Sequence, residues 1–147
     1  HGIVAASIDY LQLMRLERQG NREQEVANAS RELASLASEL EIVLFVLCQL
    51  NRQLENRPLH DRRPRMSDLR ESGQLEQDAD GILFLFRESA YNPAADRPDI
   101  LEVGIAKQRN GRAPRTAFCR YVPGDGYVGN LAAGDEMRVS SQQKRKL

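Results

Sequence analysis

Two polar side chains follow directly after short apolar segments in the first third of the sequence. Asp9 follows residues 3–8, and Gln49 follows the unbroken apolar run 42–48. At the end of a strand, a carboxylate can hold Mg²⁺ through water, and an amide can orient the terminal phosphate of a nucleotide. An aspartate after a strand is also a common turn former or helix cap, and Gln49 can equally satisfy backbone groups at the rim of a sheet. These structural roles stay open beside the phosphate chemistry.

A second candidate is the cationic motif Lys107-Gln108-Arg109-Asn110-Gly111. Side chains of an extended chain alternate between two faces, so cations at alternate positions project from the same side and can reach one anion together. An exposed cationic turn explains the same residues without a ligand.

The motif Arg70-Glu71-Ser72-Gly73 combines a cation, a hydroxyl group and a glycine, whose bare backbone can approach a phosphate closely. A loop of this type grips nucleic-acid phosphates without reading the base sequence. The alternative is a helix start, with Ser72 or Gly73 near the N-cap and Glu76 in the first turn.

The apolar pattern predicts the elements that would position these candidates. An amphipathic helix is expected where apolar residues recur at helical spacing, and buried strands are expected at short apolar runs. The helix covers residues 21–40, and the strands cover residues 3–8, 42–48, 82–86 and 100–106. Strand, helix, strand order predicts an α/β domain with a parallel sheet, in which Asp9 and Gln49 share the carboxyl rim.

The later part of the chain is expected to be antiparallel and then irregular. Residues 116–122 alternate apolar and polar side chains, as the edge partner of a hairpin does, and the periodicity is lost beyond Gly124. We therefore expect one domain over residues 1–130 and a disordered basic tail over residues 131–147. The polar segment 51–73 carries six arginines and is predicted to be a basic binding loop.

Composition narrows the function classes further. The 21 basic and 21 acidic residues cancel, which excludes nucleic-acid binding by bulk positive charge alone. Two histidines and two cysteines, without clustering, predict no transition-metal site. Neither a membrane-length apolar run nor a secretory signal is present, so we expect a cytoplasmic protein without membrane contact. No G-x-x-x-x-G-K-[ST] motif, which usually cradles nucleotide phosphates, occurs in the sequence.

Five motifs, in this order, resemble those of bacterial replicative DNA helicases of the DnaB type. They are Ile8-Asp9-Tyr10-Leu11-Gln12-Leu13-Met14, Gln49-Leu50-Asn51-Arg52, Ser67-Asp68-Leu69-Arg70-Glu71-Ser72-Gly73, Glu76-Gln77-Asp78-Ala79-Asp80 and Ala106-Lys107-Gln108-Arg109-Asn110-Gly111. The resemblance extends from about Val4 to Val122. It implies a RecA-like α/β fold, with a mostly parallel sheet flanked by helices and a C-terminal antiparallel hairpin, here without the half that carries the phosphate-binding loop.

The resemblance also implies roles for the candidate residues. The family forms ring-shaped hexamers that hydrolyse ATP between subunits while translocating on single-stranded DNA. In that setting Asp9 looks like the acidic residue that positions Mg²⁺ and water, and Gln49 like the sensor of the terminal phosphate. Lys107 and Arg109 would reach the neighbouring subunit's nucleotide, with Arg109 as an arginine finger that stabilises transition-state charge.

Arg70, Glu71 and Gly73 look like the family's DNA-gripping loop, in which the acidic Glu71 acts through its backbone or by orienting Arg70. The implied partners are single-stranded DNA, further copies of the chain in a homo-hexamer, primase and a helicase loader. The sequence departs from the family at Cys48, where Ser is usual. It also departs after Gly111, where Pro-x-Gly-Thr is replaced by Arg112-Ala113-Pro114-Arg115-Thr116 and the aim of Arg109 is left open.

Three functions follow as alternatives. The first is a fragment of an ATP-dependent replicative helicase, which alone should hydrolyse little or no ATP because the phosphate-binding loop and catalytic glutamate would precede residue 1. The second is a non-enzymatic truncated module that keeps the DNA-binding and subunit-interface surfaces. The third is another RecA-like ATPase.

Overall fold

A computed structural model describes residues 2–14, 21–69, 73–132 and 134–135. The chain divides into two compact units, the first comprising His1–Arg52 and Met66–Asp80, and the second comprising Gln53–Arg65 and Gly81–Leu147. Most of the expected tail, residues 133 and 136–147, lies outside the described residues, so the tail and the domain boundary at residue 130 stay predictions. Within the described part of the chain, no helix combines the length and apolar character needed to cross a membrane.

The first unit contains a parallel strand pair joined by a helix. β1 (Ala5–Ile8) pairs with β2 (Val43–Val46) in parallel. The connecting helix α1 (Arg22–Glu39) begins after Asn21, whose side chain accepts a hydrogen bond of 2.9 Å from the Gln24 backbone N–H. An N-cap of this type satisfies one of the free donors of the first turn. The predicted strand, helix, strand order is therefore confirmed.

The core of the first unit lies between α1 and the segment after β1. Leu11, Val26 and Ala29 are each at most 3% exposed. Partly buried side chains pack around them: Met14, Leu33, Val46, Cys48 and Leu75. A second, short helix, α2 (Gly73–Asp78), is attached to α1 through Asp78, whose carboxylate accepts hydrogen bonds from Ser30 Oγ at 2.6 Å and Gln74 Nε2 at 2.7 Å.

The expectation that these strands are buried holds for only one of their two faces. Side chains along β1 and β2 alternate between exposed and half-buried, and Val43 and Phe45 are 57% and 56% exposed. The helical core packs against the other face, through Val46. A continuous apolar run predicts burial on both faces of a strand, but it does not specify which element covers the second face.

The second unit is a four-stranded antiparallel sheet. Its order is β3 (Gly81–Phe86), β4 (Ile100–Gln108), β5 (Arg115–Val122) and β6 (Tyr127–Asn130). The expected parallel arrangement therefore holds for β1 and β2, whereas the antiparallel part is larger than the expected hairpin.

Two further expectations about this sheet need correction. Residues 116–122 do not form an edge strand, because β5 pairs with β4 on one side and with β6 on the other. The chain also regains regular structure beyond Gly124: Gly124 and Gly126 adopt positive φ angles of 98° and 64°, which glycine permits without strain, and the turn leads into β6. A strand of four residues is too short to show a clear period in the sequence.

Two arginines of the basic segment, Arg62 and Arg63, make contacts within the second unit. Arg63 donates two hydrogen bonds of 2.9 Å to the carboxylate of Glu102, which is only 6% exposed. The guanidinium of Arg63 also lies 4.9 Å from the ring centroid of Phe86, and that of Arg62 lies 5.6 Å from the centroid of Tyr91, which stacks on Phe86. Eighteen of the 21 basic residues are arginines, and the planar guanidinium suits both bidentate and stacked contacts. Part of the arginine excess therefore has a structural role.

Candidate functional site

The ends of β1 and β2 bring Asp9 and Gln49 to the same edge of the parallel pair. Hydrogen bonding continues beyond the paired strand residues: the Leu47 N–H donates to the Ile8 carbonyl at 3.0 Å, and the Leu11 N–H donates to the Leu47 carbonyl at 2.9 Å. Asp9 and Gln49 are both exposed at this carboxyl rim. The structure thus brings the two residues together where the sequence predicts, while their roles toward a nucleotide stay predictions.

Gln12 is a rim residue to which the sequence analysis assigned no role. Its side-chain oxygen accepts a hydrogen bond of 3.2 Å from the Gln49 backbone N–H, and its side-chain nitrogen donates one of 3.3 Å to the Gln49 carbonyl. One amide therefore contacts both backbone polar groups of Gln49. The available signal was the position of Gln12 within the same motif as Asp9, three residues further on.

The rim can accept Mg²⁺ only together with a ligand that supplies further oxygens. Among the described residues there is no group of three or more His, Cys, Asp and Glu side chains that could hold a metal ion. Mg²⁺ usually keeps several waters and is bound through one or two carboxylates plus substrate phosphates. A single exposed carboxylate, that of Asp9, fits this mode of binding and does not fit a protein-only metal cage.

Cys48, which stands where the resembling family usually has Ser, is packed against the core of the first unit. Burial raises the pKa of the Cys48 thiol, because desolvation disfavours the thiolate. The thiol is therefore protonated at neutral pH and adds no charge beside Gln49. The departure from the family pattern leaves the charge of the rim unchanged.

The predicted DNA-gripping loop is only partly described. Arg70 and Glu71 lie outside the described residues, and Gly73 is the first residue of α2. A Cβ atom at Gly73 would meet nothing within 4 Å, so the chain itself does not require glycine at this position. Gly73 therefore occupies the helix-start position given as the alternative, and a role in DNA binding stays a prediction for all three residues.

The segment before this loop is attached next to the rim. The Asn51 N–H donates a hydrogen bond of 2.9 Å to the carbonyl of Asp68. Asn51 lies two residues after Gln49, and Asp68 lies two residues before Arg70. This hydrogen bond therefore joins the segment that follows Gln49 to the segment that precedes Arg70.

The cationic motif spans the end of β4 and the turn that follows. β4 ends at Gln108, and Arg109 and Asn110 form a turn, in which the Gly111 N–H donates to the Gln108 carbonyl at 3.4 Å. A Cβ atom on Gly111 would meet only the end of the Gln108 side chain, a flexible group that can move aside, so the turn does not by itself require glycine. Lys107 and Arg109 would project from one side only if the chain were extended through residue 109, but the strand ends at Gln108 and Arg109 lies in the turn. Binding of one anion by both Lys107 and Arg109 stays a prediction.

The strand before this turn contains a register shift that determines the direction of Lys107. Leu83 pairs with Ile105 but Ile82 pairs with Lys107, so Ala106 has no partner on β3. Directly opposite residues of an antiparallel pair project from the same face, and an extra residue in one strand therefore reverses the faces beyond it. Lys107 projects from the face of Ile82 and Phe84 instead of the face of Ile105.

The chain is similar in sequence to known proteins of one family. A family model described as "DnaB-like helicase C terminal domain" matches residues 1–120. The chain is 51% identical over 112 residues to "Replicative DNA helicase DnaB" of Buchnera aphidicola subsp. Acyrthosiphon pisum, and 49% identical over 112 residues to that of Geobacillus stearothermophilus. These alignments cover 76% and 75% of this chain and 24% of each relative. The chain therefore spans about a quarter of the length of the curated relatives it matches.

The chain is also similar in structure to solved proteins of this type. One structure, described as an ATPase domain, has a TM-score of 0.82 and 43% identity, covering 88% of this chain and 45% of that one. A DnaB-like replicative helicase, described together with its interactions with primase, also has a TM-score of 0.82 and 43% identity, and 31% of that chain is covered. The similarity confirms the α/β fold of RecA-like type and the family resemblance, and it favours the helicase over the two alternatives.

Proposed function

We propose, because this chain belongs to the DnaB-like helicase C-terminal domain family, that it forms part of the motor domain of an ATP-dependent replicative DNA helicase. The whole protein unwinds duplex DNA by translocating on single-stranded DNA as a ring of six copies. The observation that carries this proposal is the shared rim of Asp9 and Gln49 in a chain whose relatives are named replicative helicases. Because the sequence contains no phosphate-binding loop, the isolated chain should hydrolyse little or no ATP.

At the rim, Asp9 would hold Mg²⁺ through water, together with oxygens of the nucleotide phosphates. When bound, Mg²⁺ neutralises negative charge on the phosphate oxygens. The Gln49 amide contacts the terminal phosphate, since it extends from the neighbouring strand end at the same edge. These roles are supported by placement and exposure, which leave both side chains accessible to a nucleotide.

Lys107 and Arg109 serve the nucleotide of the neighbouring subunit. Arg109 lies in an exposed turn at the end of β4, as an arginine that reaches across an interface must. A guanidinium at this place stabilises the charge that develops on the transferred phosphoryl group. Residues 112–116, which differ from the family pattern, directly follow this turn. The functional test therefore substitutes Arg109.

Arg70, Glu71 and Gly73 form the DNA-binding loop of the proposed helicase. The support is the motif itself and its position in the sequence, where it ends at the first residue of α2. Further proposed partners are primase, since one structural neighbour is described with its interactions with primase, and a helicase loader. A cytoplasmic location follows from a role in bacterial DNA replication and belongs to the same proposal.

The test uses a chimera in which residues 1–120, the range matched by the family model, replace the corresponding segment of the Geobacillus stearothermophilus relative. Arg109→Ala in this chimera should lower DNA-stimulated ATP turnover by about 10³-fold or more, as loss of an arginine finger does, while nucleotide binding is retained. Arg31→Ala is the matched control, because Arg31 is exposed on α1 and its hydrogen bonds go to Ala27 and Asn28 of the same helix.

Two outcomes would contradict the proposal at different levels. Full turnover in the Arg109→Ala chimera refutes the finger assignment. A chimera that folds and forms hexamers but never hydrolyses ATP, with the unsubstituted relative active in the same assay, refutes the proposed function of the segment as a whole.

A further inference from the structure

We propose that Gln12 is a positioning residue that fixes Gln49 relative to Asp9. The proposal rests on the proposed function for the role of Gln49, and it adds a residue that acts through the backbone of Gln49. Its basis is the pair of hydrogen bonds between one side-chain amide and both backbone polar groups of Gln49.

The amide of Gln12 continues the strand pairing where the backbone can no longer do so. Beyond the paired residues of β1 and β2, backbone pairing continues with the Leu47–Ile8 hydrogen bond and then with the Leu11–Leu47 hydrogen bond. At Leu11 the chain enters the 3₁₀ turn Leu11–Leu13 and leaves the extended conformation. The next step of the ladder, at Gln49, is made by the side chain of Gln12, whose donor and acceptor replace the N–H and carbonyl of an extended residue.

The backbone that carries Gln12 is held firmly. Leu11 is fully buried and packs with Val26 and Ala29. The turn itself is closed by hydrogen bonds from the Leu13 N–H to the Tyr10 carbonyl at 3.0 Å and from the Met14 N–H to the Leu11 carbonyl at 3.1 Å. Gln12 therefore connects Gln49 to the buried core and to the chain that directly follows Asp9.

This arrangement requires the glutamine side chain. A carboxylate of the same length keeps the acceptor but has no N–H to donate, and methionine has neither group in usable form. Without the Gln12 amide, the backbone of Gln49 loses both hydrogen bonds to Gln12. The side chain of Gln49 then samples more positions relative to a terminal phosphate. A misplacement of about 1 Å can cost about 100-fold in rate.

The experiment compares Gln12→Met, Gln49→Met and the double variant in the chimera described above. Gln12→Met should lower kcat by about 10- to 100-fold. The KM for ATP should stay within about 2-fold, because the interaction made by Gln49 is stronger in the transition state. The double variant should be no slower than Gln49→Met, because Gln12 acts only through Gln49. Gln24→Met is the matched control, since the Gln24 amide donates only locally on α1, to Asn28 at 3.2 Å.

The outcomes separate this proposal from the proposed function. If Gln49→Met lowers kcat and Gln12→Met leaves it unchanged, the positioning role is wrong and the sensor role stands. Additive losses in the double variant also overturn the positioning role, because they show an independent effect of Gln12. If Gln49→Met itself retains full kcat, the sensor assignment fails, and the positioning role fails with it. Should Gln12→Met unfold in a thermal scan, Gln12→Glu replaces it, and full activity of that folded variant overturns the proposal.

Discussion

Removing one partner of the ion pair between Arg63 and Glu102 should strongly destabilise the second unit. The Glu102 side chain is 8% exposed and that of Arg63 is 32% exposed, and the pair is bidentate with both distances at 2.9 Å. Arg63→Met keeps an unbranched apolar side chain of similar length but removes the guanidinium. The carboxylate of Glu102 then stays buried without its cation, which is the costly situation for a charge in a protein interior.

The expected loss follows from burial. Removing one partner of a fully buried ion pair costs about 3–5 kcal/mol. Arg63 is about one third exposed, so water partly compensates Glu102 and we expect about 2–3 kcal/mol, including about 0.5–1 kcal/mol for the lost contact with Phe86. Glu102→Gln should cost less, because a neutral amide still accepts a hydrogen bond and leaves no buried charge.

Urea unfolding of the chain, followed by circular dichroism, measures the difference. Arg65→Met is the matched control from the same segment: Arg65 pairs with Asp61, but its side chain is 58% exposed, and such pairs contribute only about 0–1 kcal/mol. The free energy of unfolding should therefore fall clearly for Arg63→Met and little for Arg65→Met. Equal effects of the two substitutions would refute the argument from burial.

Two further predictions concern DNA binding and the half-buried thiol of Cys48. Arg70→Ala in the chimera should weaken single-strand binding equally for all base sequences and reduce the slope of log K against log salt by about 0.7, and unchanged affinity in a salt titration would rule out the loop assignment. In a Cys119→Ser variant, Cys48 should react slowly with a thiol reagent at neutral pH, because its raised pKa and burial leave little accessible thiolate. The rate of its reaction should increase on unfolding in urea, and equal rates in folded and unfolded protein would contradict the packing of Cys48 against the core.

The rim is the part of the site that sequence reasoning placed correctly. Apolar runs before Asp9 and Gln49, separated by an amphipathic helix, leave parallel pairing as the favoured topology, and parallel strands end at a common edge. The same reasoning could not place Gln12. Its contact with Gln49 depends on where the backbone leaves β1, and the sequence around Gln12 carries no periodic signal for that point.

Charge along the chain was a poorer guide than hydrophobic pattern. The six arginines of residues 51–73 predicted a binding loop, but Arg62 and Arg63 lie against Tyr91 and Phe86, far away in sequence. A guanidinium contacts carboxylates, aromatic rings and phosphates through the same planar group. Its sequence neighbours therefore do not indicate which of these it meets, and only the tertiary contacts decide.

The direction of Lys107 depends on β3, and for this reason spacing within the motif could not determine it. Strict alternation along β4 places Lys107 on the face of Val103 and Ile105. The observed pairing with Ile82 places it on the opposite face, with Phe84 and Glu102, because a one-residue shift reverses every later side chain. The shift arises from the match between two strands separated by a long connection. The direction of a side chain that follows β4 therefore depends jointly on the bulge and on the turn after the strand.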